Sequence, residues 1–176
     1  MTILRAFLTS TCCIALAANA AAETKLSAFT GEWSGRGQDR DLPLASMEAV
    51  TCQNNIRANP RRLHSNMTCE RKSGVRNAVQ MTVTLEGDQL SGKITRKVSQ
   101  PGRPDDVING TVSGTKKDDA ANLLVHWQGV TPNTTITLKL TTPASYSMQA
   151  DALGATMMDL AFRRTSMERP PPRNAR

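Results

Sequence analysis

The sequence predicts an all-β protein, an antiparallel up-and-down barrel of about 8–10 strands with one disulfide-linked hairpin. Three observations predict it. Apolar and polar residues alternate with a period of two in segment after segment between Glu23 and Ser166, where no helical period is sustained. Turn signals such as Pro60-Arg61 and Gly87-Asp88 separate these segments at short intervals. Cys52 and Cys69 stand at equal distances from Pro60-Arg61, where a disulfide would staple an antiparallel hairpin.

The chain of 176 residues begins with Met1-Thr2-Ile3-Leu4-Arg5, an apolar run from Ala6 to Ala18, and small residues at Ala18, Ala20 and Ala22. That order reads as a signal peptide over residues 1–22. The apolar run falls short of the roughly 20 residues that a transmembrane helix requires. A lipid anchor at Cys12 or Cys13 would call for an apolar residue where Thr9-Ser10-Thr11 stand. Removing the leader takes Cys12 and Cys13 away and leaves Cys52 and Cys69 as an even pair. Export to an oxidising compartment favours their bond; the alternative is two buried free thiols. The expected location is periplasmic or secreted. Residues 23–167 then form one barrel domain, and residues 168–176, with Pro170-Pro171-Pro172 among arginines, form a disordered basic tail.

Each strand follows from its own alternation. Gly31 to Gly37 carries Trp33 on one face of the first strand. Val50, Cys52, Asn54 and Ile56 share a face of the second, as do Leu63, Ser65, Met67 and Cys69 on the third. With Pro60-Arg61 as the turn, Ile56 opposes Ser65, Asn54 opposes Met67 and Cys52 opposes Cys69. Val79, Met81, Val83 and Leu85 form the next apolar face. The Gly87-Asp88 turn sets Leu85 against Leu90, Val83 against Gly92 and Met81 against Ile94. A slip by one residue would invert every side chain, so agreement of the apolar faces supports this register.

Beyond the Gln100 to Asp106 loop, Ile108, Gly110, Val112 and Gly114 share a face, followed across Lys116-Lys117-Asp118-Asp119 by Leu123, Val125 and Trp127. Ile136, Leu138 and Leu140, then Tyr146, Met148 and Ala150, continue the pattern. A three-residue hairpin at Ala152-Leu153-Gly154 is expected to align Met148 with Met158 and Tyr146 with Leu160. Closure of so many strands removes the exposed edges that invite aggregation.

Gly31-Glu32-Trp33 resembles the Gly-x-Trp motif that opens the first strand of the lipocalins and the wider calycin group. The resemblance implies that an arginine near the end of the barrel covers that tryptophan. Arg164 shares parity with Met158, Leu160 and Phe162, so it is the matching residue, with a cation–π contact of about 0.5–2 kcal/mol. Trp33 and Arg164 would thus be a structural pair.

No chemistry announces itself. His64 and His126 both fall on the polar face, without carboxylates or cysteines at ligand spacing. Asp105-Asp106 and Asp118-Asp119 read as solvated turns. Gly-x-Ser-x-Gly, phosphate-loop and His-Glu-x-x-His motifs do not occur. Neither catalytic residues, metal ligands nor cofactors are assigned, and a non-enzymatic protein is expected.

What remains is the inward set: Met67, Met81, Val83, Ile94, Val112, Trp127, Leu138, Met148 and Met158. These would line a pocket for a lipid-like small molecule, since small barrels hold one ligand and methionine adapts to irregular apolar shapes. The same residues would equally make a filled core. The formal charge of +7, one unit of it from Arg5 in the leader, suits an anionic envelope component or protein. In that alternative, an interaction module or hydrolase inhibitor, the Gln100 to Asp106 loop and the tail make the contacts. Nucleic acid is not an expected partner, because aromatics are only 3% of the chain and no basic-aromatic pattern occurs. A transmembrane barrel is not expected either, since the outward positions are Thr, Gln, Glu and Lys rather than a lipid-facing band.

Overall fold

Ten consecutive strands hydrogen-bond to their sequence neighbours, and the last returns to the first, closing an all-antiparallel barrel. The structure, a computed structural model, describes residues 25–130 and 132–166. The expected signal peptide (1–22) and tail (168–176) lie outside the described residues. The strands are β1 (Gly31–Asp39), β2 (Glu48–Ala58), β3 (Arg62–Arg71), β4 (Arg76–Glu86) and β5 (Gln89–Ser99). They continue as β6 (Asp106–Lys117), β7 (Ala120–Trp127), β8 (Thr134–Thr142), β9 (Ser145–Ala152) and β10 (Ala155–Ser166). Ten strands are two more than a lipocalin has; the architecture is otherwise consistent with a calycin-like barrel. No helix among the described residues is long and apolar enough to cross a membrane.

The alternation places one face of every strand inside. Met67, Met81, Val83, Ile94, Val112, Val125 and Leu160 are all buried there. The expected registers hold in both early hairpins: Cys52 opposes Cys69 around the Pro60-Arg61 turn, and Met81 opposes Ile94 around Gly87-Asp88. Cys52 and Cys69 form a disulfide, buried among the core residues of β2 and β3.

One register differs from expectation. Met148 opposes Leu160 and Tyr146 opposes Phe162, a slip of two from the expected alignment. The turn contains two residues rather than three, with Leu153 (φ 52°) and Gly154 (φ 73°) both left-handed. A bulge between Thr156 and Met158 then adds the second step. Left-handed φ is natural for glycine but uncommon for leucine, so the sequence does not signal this turn.

The lower end of the barrel, where β1 begins, is plugged. A short 3-10 helix, Leu26–Phe29, tucks Leu26 and Phe29 into the core. Trp33 is fully buried, and its Nε1 donates to the Phe29 carbonyl at 2.8 Å. Arg164 lies over the Trp33 ring at 4.5 Å and donates from Nη2 to the Ala28 carbonyl at 2.8 Å. Tyr146 stacks on Phe162 at 4.5 Å and meets Trp33 edge-on at 4.8 Å. Gly35 makes this packing possible, since a Cβ there would fall 2.5 Å from the Phe162 ring.

Loss of the disulfide through Cys52→Ala with Cys69→Ala is expected to lower stability by about 3 kcal/mol, from the chain entropy of the closed loop. Calorimetry would record a fall in Tm of roughly 6–12 °C for a domain of this size. An unchanged melting profile would show that the barrel walls alone fix this hairpin.

Candidate functional site: the open end of the barrel

The opposite, upper end is where β1 finishes at Asp39, and there the barrel is hollow. A cavity of about 240 Å³ enters between the loops that follow β1 and β7. Its walls come from Met67 on β3, Val79 on β4, Ile94 on β5, Ile136 on β8, Met148 and Ala150 on β9, and Met157 and Met158 near the start of β10. Ile108, Trp127, Val130 and Leu42 surround the entrance. Below lies a narrower space of about 30 Å³ that shares Met67, Val79, Ile94, Ile136 and Met148 and reaches Met81, Leu138 and Tyr146. Residues of six strands create this lining, and small Ala150 and flexible methionines leave it unfilled.

Of the residues expected to line a pocket, Met67, Ile94, Trp127, Met148 and Met158 border the upper cavity. Met81 and Leu138 border only the narrower space. Val83 and Val112 are buried in packed core and line neither. Hydrophobic alternation alone cannot tell depth along the barrel, so it groups wall and floor together.

The floor carries a short polar chain. Ser65 Oγ donates to Asn54 Oδ1 at 2.8 Å, and Asn54 Nδ2 donates to Tyr146 Oη at 2.9 Å. Burial raises the Tyr146 pKa, opposed in part by the Asn54 hydrogen bond, so the phenol stays neutral. With each of these buried groups engaged, the floor is a satisfied polar patch rather than an ionisable centre.

The rim carries charge that the hydrophobic pattern does not reveal. Arg71, buried at the end of β3, donates from Nε and Nη2 to the two Asp39 oxygens at 2.6 and 3.0 Å. It also donates from Nη1 and Nη2 to Asp41 at 2.7 and 2.9 Å. This double fork is the geometry in which guanidinium and carboxylate pair most strongly. Burial pulls the Arg71 pKa down, but the hydrogen bonds to Asp41 and Asp39 outweigh it and leave the group firmly cationic. The Arg71 hydrogen bond holds the Asp41 carboxyl below the usual aspartate range, against an opposing effect of burial.

Arg96, at the upper end of β5, donates from Nε to Asn77 Oδ1 at 2.8 Å and approaches Asp41 with Nη2 at 3.7 Å. Arg40 holds the loop after β1 by donating from Nε to the Thr156 carbonyl at 2.6 Å. These charged residues continue the inward parity of their strands: Asp39 follows Trp33, Gly35 and Gly37; Arg71 follows Met67 and Cys69; Arg96 follows Gly92 and Ile94. Charges of both signs at inward positions near the same strand ends were the available signal.

Apolar residues also crowd this end on the outside. Leu42, Leu44, Val107, Val130 and Leu153 are exposed in or beside the upper loops, whereas Leu124 is the exposed large apolar residue on the barrel wall among the described residues. His64 and His126 lie on the outer face, within hydrogen-bond distance of Thr82 and Asn133 respectively. Among the described residues, histidines, cysteines and carboxylates form no cluster of three that could hold a metal ion.

In comparisons with known proteins, no family model and no curated protein matches the chain.

Removing the Asp39 charge with Asp39→Asn leaves the buried Arg71 with one carboxylate, and the loss of stability in urea melts is expected to be about 3 kcal/mol. A loss below about 1 kcal/mol would mean that Asp41 alone suffices.

Acid titration reads Asp41 separately. Its carboxyl is depressed in the folded state, so its contribution is complete above the ordinary aspartate value of about 3.9 and disappears as pH falls through the lower folded value. The urea midpoint of the native protein is expected to drop on acidification through this window, and Asp41→Asn to flatten that drop. Identical slopes in the two proteins would contradict the assignment.

Proposed function

We propose that the protein is an exported, non-enzymatic binding protein that encloses one small apolar or amphipathic molecule in the upper cavity. The observation that carries this reading is the asymmetry of the barrel interior: aromatic packing fills one end, while an apolar cavity of about 240 Å³ opens at the other. Sites for small molecules are typically concave, largely apolar, and fitted with a few placed polar groups, which is what wall and rim supply. Because a closed ladder and a buried disulfide hold the walls, little reorganisation opposes binding.

The disulfide supports an oxidising location, periplasmic or secreted. The outward strand positions, among them Thr82, Gln80, Lys93, Thr111 and Thr137, support a wall facing water rather than lipid. Kinship with the lipocalins rests on Arg164 over Trp33 and on the closed antiparallel barrel.

A second reading, an interaction module of the envelope or a hydrolase inhibitor, draws on the apolar residues around the mouth, of which Leu44 is completely exposed. It would make the loops, and not the interior, the determinant of binding.

A homologous series separates them. Each methylene of 1-hexanol, 1-heptanol and 1-octanol buried in the cavity is expected to strengthen binding by about 0.8 kcal/mol, roughly fourfold per carbon by calorimetry. With methyl-labelled methionines, the NMR signals of Met67, Met148, Met157 and Met158 are expected to shift while that of loop residue Met47 stays. No heat, no shift in the four, and a clean apo mass by native mass spectrometry would end the enclosure reading. Loss of partner capture from Leu44→Glu alone would favour the second.

A further inference from the structure

The rim holds three guanidinium groups with different degrees of engagement. Arg71 donates to both oxygens of both Asp39 and Asp41. Arg40 is tied to the Thr156 carbonyl and, at 3.3 Å from Nη1, to the Ala45 carbonyl. Arg96 differs. Its Nε is taken by Asn77, but among the described residues neither terminal nitrogen has an acceptor within hydrogen-bond distance. Asp41, the nearest carboxylate at 3.7 Å, already accepts from Arg71 at each oxygen. Arg96 therefore lines the cavity with terminal nitrogens that are ion-paired to Asp41 yet free of hydrogen bonds among the described residues, on a side chain that is 30% exposed.

At the rim Arg40, Arg71 and Arg96 stand with Asp39 and Asp41, and Asp106, at the exposed start of β6, also acts on Arg96. One planar fork suits a planar monoanion better than a phosphate dianion, which would call for further cations. Val79 opposite Arg96 in the ladder, Met67 beyond, and Ile94 two residues further into the barrel form the apolar wall of the same cavity. The space of about 240 Å³ equals roughly eight waters at a liquid share of about 30 Å³ each, the bulk of an alkyl chain of medium length.

Resting on the enclosure reading above, we infer that the ligand is a medium-chain monocarboxylate, whose carboxylate accepts hydrogen bonds from the terminal nitrogens of Arg96 while its alkyl chain fills the cavity between Met67, Ile94 and Met148. Burial lowers the Arg96 pKa, as expected for a cation held partly away from water, but an arginine remains charged throughout the accessible pH range. The acid binds as its anion.

Calorimetry with octanoate and 1-octanol at neutral pH tests the head group with the chain held constant. The native protein is expected to bind octanoate about tenfold or more tighter than 1-octanol, the range of a charge-assisted hydrogen bond. Arg96→Met is expected to bring octanoate down to the level of 1-octanol while changing 1-octanol by less than about threefold. Arg96→Lys keeps the charge without the planar fork and is expected to retain part of the preference; it also decides the matter if Arg96→Met fails to fold.

Equal affinities in the native protein would overturn the inference and leave enclosure standing. So would a preference for octanoate that survives Arg96→Met, or a loss in Arg96→Lys that falls equally on both ligands. Absence of binding by either compound to the native protein would instead remove the enclosure reading itself, and this inference with it.

Discussion

Closure of the hydrogen-bonded ladder between β1 and β10 is the constraint on which the rest of the molecule depends. Every backbone edge is then paired, and each strand must present one face inward along its whole length. The pair that secures this seam is Trp33 on β1 with Arg164 on β10, directly opposed in the ladder. Once they are in place, Arg164 also reaches the Ala28 carbonyl and Trp33 the Phe29 carbonyl, so the segment before β1 is drawn across the end. Seam and plug are therefore one structure, and a change at either residue loosens both.

The distribution of bulk decides where the interior is full. Four of the aromatic side chains, Phe29, Trp33, Tyr146 and Phe162, gather in a single cluster at the lower end. In a chain with aromatics at 3%, this leaves Trp127 as the remaining aromatic on the upper walls. Methionine, isoleucine, valine and alanine do not span a ten-stranded barrel, and the space persists. The double fork of Arg71 with Asp39 and Asp41 ties the end of β3 to the end of β1 and the loop after it, because separating the buried Arg71 from both carboxylates would leave its charge unpaired.

Much of this was legible in the chain. The period of two and the symmetric placement of Cys52 and Cys69 gave the class and the first hairpin register, and Gly87-Asp88 gave the second. The β9–β10 register was not, for a reason inherent in strands: faces repeat every two residues, so a slip of two leaves the inside and outside sets unchanged. Only the turn could have distinguished the two alignments, and Leu153 in a left-handed conformation is not a recognisable signal. Leu26–Phe29 is a single turn, too short to show a helical period. Arg96, Arg71 and Asp39 escaped because a reading that follows apolar residues passes over charged ones at the same parity. Their opposite signs at neighbouring strand ends carry the missing information.

The up-and-down course with an even number of strands has one more result. Since β1 starts and β10 finishes at the plugged end, both chain directions leave the barrel on the side away from the entrance. A tether, tag or neighbouring domain joined at either place would hold the molecule like a cup by its base, with the rim of arginines and leucines presented outward. Orientation at a surface is thus built into strand parity, before any residue of the rim is chosen.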